Sequence, residues 1–220
     1  IKYNNCIEKS LQSRVYAFSW YLDLVTDNWD VLVLDDYKAV MPIPWRRKYG
    51  IKYAYPPFWI IELGVFSMSE IDENLFLSML FNSFKFVEIR TNTNNSFSKF
   101  IINQQKRDLQ VLDMQLPYQS ILDNFRKDRR KDLSKAKKSE LYIQKHQTPK
   151  ELLTLHKNNV GKRVKEFTEK DYNQLYNLIQ YAVDHKRGEI LSVYDKEGSL
   201  VASGFFLKDG KRIVQLISST

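Results

Sequence analysis

Apolar residues recur at helical spacing in residues 3–11, where Tyr3, Ile7 and Leu11 share a face, and the aromatic-rich stretch VYAFSWYLDLV (15–25) reads as a second short helix. The next segment, NWDVLVLDDYKAVMPIPWRR, predicts a hairpin: one strand over 29–34, a turn at Asp35-Asp36 and a return strand over 38–45. Pro42 and Pro44 remove two ladder donors, so the return strand should be an edge or irregular one. Residues 53–58 carry Pro56-Pro57 and read as a loop or strand end. Helical period returns over 70–84, with Ile71, Leu75, Met79 and Leu80 in the stripe and Ser69 as N-cap. Strands are predicted at 86–90, 99–103 and 109–114, then a long helix over 119–139 starting just after Pro117. A strand at 141–145, helices at 150–158 and 169–185, and strands at 189–194, 200–207 and 212–218 complete the chain, the last three joined by tight turns at KEGS and KDGKR. The fold class is therefore α/β, with a mixed sheet flanked by helices.

Two hairpins follow the same order. DVLVLDDYKAVMPIPWRRKYGIKY and EILSVYDKEGSLVASGFFLKDGKRIV each run from an acidic residue through an apolar strand, an acidic turn, a second apolar strand and a basic glycine turn. Asp36 matches Asp195, Val40 matches Val201 and Gly50 matches Gly210, at offsets of 159, 161 and 160 residues. A helix precedes each hairpin. The spacing is far beyond the ~20–50 residues of a solenoid repeat. It suggests a duplicated α/β domain, against the alternative that amphipathic hairpins resemble one another by chance.

Charge changes the picture at one place. The net charge is +8, and RKDRRKDLSKAKK (126–138) holds eight basic side chains against two aspartates, supplying +6 of it. Such a segment points to a phosphate-rich or acidic partner, or else to a solvated helix face. At ~100° per residue, Leu122, Phe125, Leu133 and Ala136 form a core stripe with Ile121 at its edge. Arg129 falls inside that stripe and Asp132 at its margin, which predicts either a structural ion pair to Asp132 or Asp128, or a substrate-binding guanidinium. Arg126 and Arg130 flank the stripe where a cleft would lie. Lys127, Lys131 and Lys138 face away.

Other chemistry is sparse. His146, His156 and His185 lack metal-ligand spacing, and each reads as a surface or helix-end histidine; no metal site is expected. The lone Cys6 excludes an internal disulfide and reads as a buried structural thiol. No nucleotide loop or nucleophile-elbow motif occurs. The aromatic clusters YAFSWY and YAYPPFW read as core before base-stacking platforms. Asp30, Glu62 and Glu189 are available carboxylates, and no spacing singles one out as a general base. No apolar run reaches the ~18–20 residues of a membrane span, and the first residues lack the apolar core of a leader, so a cytoplasmic location is expected.

FRKDRRKDLSKAKKSELYIQK (125–145) resembles the helix-to-strand segment of FemABX-like proteins, and the following helix with GEILSVYDKEGSLVASGFFLKDGKRIVQLISS resembles the start of their second GNAT-like domain. WRRKYGIKYAYPPF is similar to bacterial relatives of the group. The resemblance implies tandem GNAT-like domains, a first over 1–148 and the beginning of a second over 149–220, the second copy incomplete. It implies an acyl or aminoacyl transferase in which an amine attacks a thioester or tRNA ester. Acyl-CoA or aminoacyl-tRNA would be a co-substrate rather than a tightly held cofactor, and tRNA a possible partner. The enzyme would contribute positioning and backbone oxyanion stabilisation at a splayed strand. On that reading the strand 212–218, with Gln215 and Ile217, takes the donor's arm. Arg126, Arg129 and Arg130, with Trp45 and Arg46, face the acceptor. A basic nucleic-acid-binding module and a GNAT-like domain without catalysis remain as rival expectations.

Overall fold

The computed structural model describes residues 2–97, 103–164, 166–210 and 212–220. Helix α1 (Lys2–Lys9) buries Tyr3 and Ile7 of the expected face together with Cys6, but it ends before Leu11, which is exposed. A 3-10 turn (Val15–Ala17) and α2 (Ser19–Val25) replace the single second helix, because Phe18 is extended between them. The hairpin forms as β1 (Asn28–Leu34) and β2 (Ala39–Lys48), and β3 (Ile51–Ala54) turns back on β2. The short β4 (Phe66–Ser67) pairs with the start of β2, and β5 (Phe86–Val87) runs parallel to β3.

β2 is thus an interior strand, not an edge, yet its prolines are accommodated. β4 reaches only Ala39 and Val40, and β3 only residues 45–48. Pro42 and Pro44 fall in the gap between them, and the Pro44 carbonyl accepts the Tyr55 N–H at 3.1 Å. Their missing donors face a side with no ladder to complete.

Helix α3 (Asn74–Ser83) is shorter than its sequence span and rotated from the expected stripe. Phe76, Leu77 and Leu80 are buried, whereas Leu75 and Met79 are exposed, and Glu73 rather than Ser69 is the N-cap residue. The strand expected over 99–103 lies largely outside the described residues. The one expected over 109–114 does not form: 103–113 is irregular, a turn follows at Met114, and the stretch is exposed, including Leu109, Val111, Leu112 and Met114.

The long helix breaks in two. α4 (Tyr118–Asp123) buries only Ile121, and α5 (Lys127–Lys138) buries nothing; extended backbone at Arg126 (φ −56°, ψ 152°) separates them. A helix stays continuous when a packed apolar stripe holds it, and here that stripe has almost no surface to pack on.

β6 (Tyr142–His146), α6 (Lys150–Asn158), α7 (Glu169–Asp184), β7 (Gly188–Tyr194), β8 (Leu200–Asp209) and β9 (Arg212–Ser219) match their sequence reading closely. The last three strands form an antiparallel meander, and β6 covers the outer edge of β7. β6 lies before the 148/149 boundary but pairs within the second sheet. A capping box between Thr168 and Asp171 starts α7. Each meander follows two α-helices, with the 3-10 turn inserted between the pair in the first half only.

The two halves share one core. Tyr3, Ile7, Tyr21, Leu22 and Phe66 from the first join Leu152, Leu175, Ile179, Phe205 and Ile217 from the second, with α2 packed on α7. Across that contact Trp59 Nε1 donates to the Asp171 carbonyl at 2.9 Å and its ring stacks on Phe167. A second cluster, between the first sheet and α3, holds Met41, Ile43, Ala54, Phe76, Leu77 and Leu80. The protein is a mixed α/β fold with one mixed and one antiparallel sheet.

Candidate functional site

The expectation that Arg126, Arg129 and Arg130 line a core cleft is overturned. All three are exposed, with Arg126 and Arg129 side chains 79% and 69% accessible. Arg129 reaches Asp132 at 4.0 Å and Arg126 reaches Asp128 at 3.5 Å, both loose pairs in open water. The stripe argument failed because it presumed a surface for the helix to lie on.

Arg46 is tied down elsewhere. Its Nε donates to Asp27 Oδ2 at 2.7 Å, and its guanidinium lies 4.0 Å over the Tyr55 ring. Lys170 Nζ, from α7, meets Asp27 Oδ1 at 2.8 Å, so Asp27 clamps β2 to α7. Trp45 packs at the second core cluster with Lys52 Nζ 4.2 Å from its ring, and its indole N–H is buried without a hydrogen-bond partner among the described residues.

Burial works to raise the Asp27 pKa, but the hydrogen bonds and charges of Lys170 and Arg46 outweigh it and hold the carboxyl below its ordinary value. A depressed carboxylate pKa contributes stability above the unfolded value of about 3.9, and that stability is lost as pH falls through the folded value. Asp27→Asn should therefore cost roughly 1–2 kcal/mol at pH 7. In urea titrations the gap between variant and parent should close as pH approaches 2; a gap that stays constant would remove Asp27 from the acid response.

The carboxylates open as general bases are all engaged by cations. Asp30 pairs with Lys52, and Glu62 is buried against Arg14. Glu189 accepts from Lys208 and Lys145, which hold its pKa down to about 2. A carboxylate so stabilised as an anion is a poor proton acceptor at neutral pH.

The histidines sort differently from their sequence reading. His185 caps α7, as expected of a helix-end residue. His156 is buried, with Nδ1 3.2 Å from the Tyr172 hydroxyl, and burial lowers its pKa. His146 Nε2 lies 2.9 Å from the Tyr194 hydroxyl, which donates to Glu151 Oε2 at 2.5 Å. Burial and Glu151 together raise the Tyr194 pKa to about 12. Only tertiary pairing brings these residues of β6, β7 and α6 together; no spacing in the sequence announces them. Cys6 is buried, and burial raises its thiol pKa.

The two residues expected on the donor side, Gln215 and Ile217, lie at an irregularity. On β9, Ile217 pairs with Phe205 but Gln215 pairs with Phe206, so Leu216 is an extra residue: a β-bulge between the two positions singled out from sequence. Ile217 is buried in the shared core and Gln215 is exposed. Bulges re-aim side chains and backbone groups, and they concentrate at sheet edges and beside active sites. Here the bulge lies on the last strand of the sheet, whose outer side has no strand partner among the described residues. The pair β3–β5 marks the corresponding side of the first sheet. It stays together for two residue pairs, and Pro42, Pro44, Tyr55, Ile60, Leu63 and Arg90 line a narrow slot beside it, with about 10 Å³ of free space, room for one water.

No protein-family model matches the chain, and no curated protein matches it. No helix among the described residues is long and apolar enough to cross a membrane. None of their His, Cys, Asp and Glu side chains form a group of three placed to hold a metal ion.

Proposed function

We propose that the protein is an acyl or aminoacyl transferase of the GNAT/FemABX type, moving an acyl group from a thioester or tRNA ester to an amine. The observation that carries this reading is the bulge at Leu216 on the outer strand of a helix-covered meander. Main-chain N–H groups around a bulge can meet the donor's carbonyl oxygen and hold the oxyanion formed when the amine attacks. The tetrahedral adduct then collapses with loss of the thiolate or the tRNA hydroxyl, and the amine's proton leaves to solvent or the departing group. Two helix–helix–three-strand segments in one chain support the reading as tandem copies. In both, two residues link the second and third strands, between Lys48 and Ile51 and between Asp209 and Arg212.

The test is donor binding followed by transfer. Calorimetric titration with acetyl-CoA and with aminoacyl-tRNA should show saturable binding of one donor, and mass spectrometry should find the acyl group on an amine from a panel of amino acids and short peptides. Deleting Leu216, which restores the regular ladder, should abolish transfer while the circular dichroism spectrum persists. Failure of both donors to bind would end the proposal.

One observation favours a second role for α5, as a docking surface for a polyanion. Its basic side chains are exposed, and its only acidic residues are Asp128 and Asp132. Replacing Arg126 and Arg130 together by alanine should leave the fold intact, since neither is buried, and weaken tRNA binding about 3- to 30-fold at low salt. Filter binding checks this: unchanged affinity, or a salt slope equal to the parent's, would remove α5 from the contact.

A further inference from the structure

The two meanders differ at one edge. In the second sheet the outer side of β7 is covered by β6, which pairs with it from Tyr142–Tyr194 to His146–Ile190. In the first sheet the outer side of β1 has no strand partner among the described residues. An uncovered edge presents a row of unsatisfied main-chain donors and acceptors.

The direction of those groups follows from the prolines. Pro44 turns its carbonyl to Tyr55, away from β1, so its partner Trp29 turns its own N–H and C=O away from β2. By the two-residue period, Val31 opposite Pro42 and Val33 opposite Val40 do the same. Trp29, Val31 and Val33 pack their side chains on the shared core.

Beside this edge lies an open groove of about 540 Å³, lined by Trp29, Val31, Leu32, Ile43 and Phe84 with Asp30 and Lys52. Its charges complete the comparison. In the second sheet Glu189 takes one lysine from within the meander, Lys208 at 2.7 Å, and another from the covering strand, Lys145 at 2.9 Å. In the first sheet Asp30 takes Lys52 from within, and its side chain remains 52% accessible, with no covering strand among the described residues to supply a second cation.

We propose that the outer edge of β1 receives one more strand: an extended peptide from a partner chain, antiparallel to β1, with apolar side chains over the groove and a basic residue that reaches Asp30. Main-chain bonds to Trp29, Val31 and Val33 supply affinity, and the groove and Asp30 supply selectivity. The surface is separate from the β9 bulge, so it stands or falls independently of the transferase reading.

A blocked synthetic peptide, SELYIQKH, copies the strand that covers the equivalent edge of β7. Added to the whole protein, it should slow amide exchange of Trp29, Val31 and Val33 by about tenfold or more at saturation. Asp30→Asn, an exposed change that leaves the core untouched, should weaken binding about fivefold or more, as should a lysine-to-glutamate change in the peptide. The proposal is overturned if exchange at those three amides is unchanged at about 2 mM peptide, if protection appears at β7 instead, or if the charge-reversed peptide binds equally well.

Discussion

Phe205→Ala should lower the free energy of unfolding by about 3–5 kcal/mol, the range for a fully buried phenylalanine, with both sheets lost in a single transition. Phe205 is completely buried in the middle of β8, between Ile190 on β7 and Ile217 on β9. Its ring lies over Gly188, where an added Cβ would stand 2.6 Å from two ring carbons. That strand start cannot collapse into the vacated space without bending β7. The cluster around Phe205 continues through Leu175 and Ile179 of α7 into Tyr21 and Leu22 of α2, so the loss propagates to the first half. At this chain length the deficit corresponds to a fall in melting temperature of about 6–20 °C. Urea unfolding followed by far-ultraviolet circular dichroism reports both sheets together, and tryptophan fluorescence reports the first half. All four tryptophans lie in the first half, at positions 20, 29, 45 and 59. A variant that loses the second sheet while its fluorescence transition stays at the parent midpoint would show that the halves fold as separate units.

Glu62→Gln should cost about 3–5 kcal/mol, because it leaves the Arg14 guanidinium buried without its counter-charge. Arg14 and Glu62 side chains are only 10% and 8% accessible, and the pair is bonded through Arg14 Nε and Glu62 Oε1. Arg14 also donates to the Gln12 and Ser13 carbonyls, so it cannot swing out to water without abandoning three acceptors. Asp209 sits close by, accepting from the Val15 N–H at 3.0 Å, and burial raises its pKa against the opposing pull of that bond, Arg212 and Arg14. Removing Glu62 passes part of the Arg14 charge to Asp209, which places the cost nearer the lower bound. The double variant Arg14→Met, Glu62→Leu should regain most of the loss, since apolar side chains of similar volume need no counter-charge. Thermal and urea melts of both single variants and the double variant give the coupling energy. A Glu62→Gln variant as stable as the parent would mean that the pair is solvated.

The sequence reading succeeded where the interaction that forms an element lies within that element or its neighbour. α6, α7 and the β7–β8–β9 meander were legible because their periodicity and tight turns act over a few residues. Residues 119–139 show the opposite case. Leu122, Phe125 and Leu133 have helical spacing, yet they are only half-buried and the helix breaks at Arg126, because spacing says which residues share a face and not whether a surface exists to receive it. At α3 the surface exists but receives Phe76, Leu77 and Leu80 rather than Leu75 and Met79, and the tie of Arg46 to Asp27 was not legible because Asp27 and the second cation Lys170 come from distant parts of the chain.

Alone, the amino-acid order determined the α/β class, the two meanders and the concentration of positive charge in one segment. Only the tertiary structure decided that both halves share a core, that Asp30, Glu62 and Glu189 are each paired with cations, that Leu216 bulges from β9 and that the outer edge of β1 has no strand partner among the described residues. The division is physical. Periodicity and turn chemistry are local properties of a chain, whereas burial, charge pairing and strand register depend on which distant residues arrive at the same place.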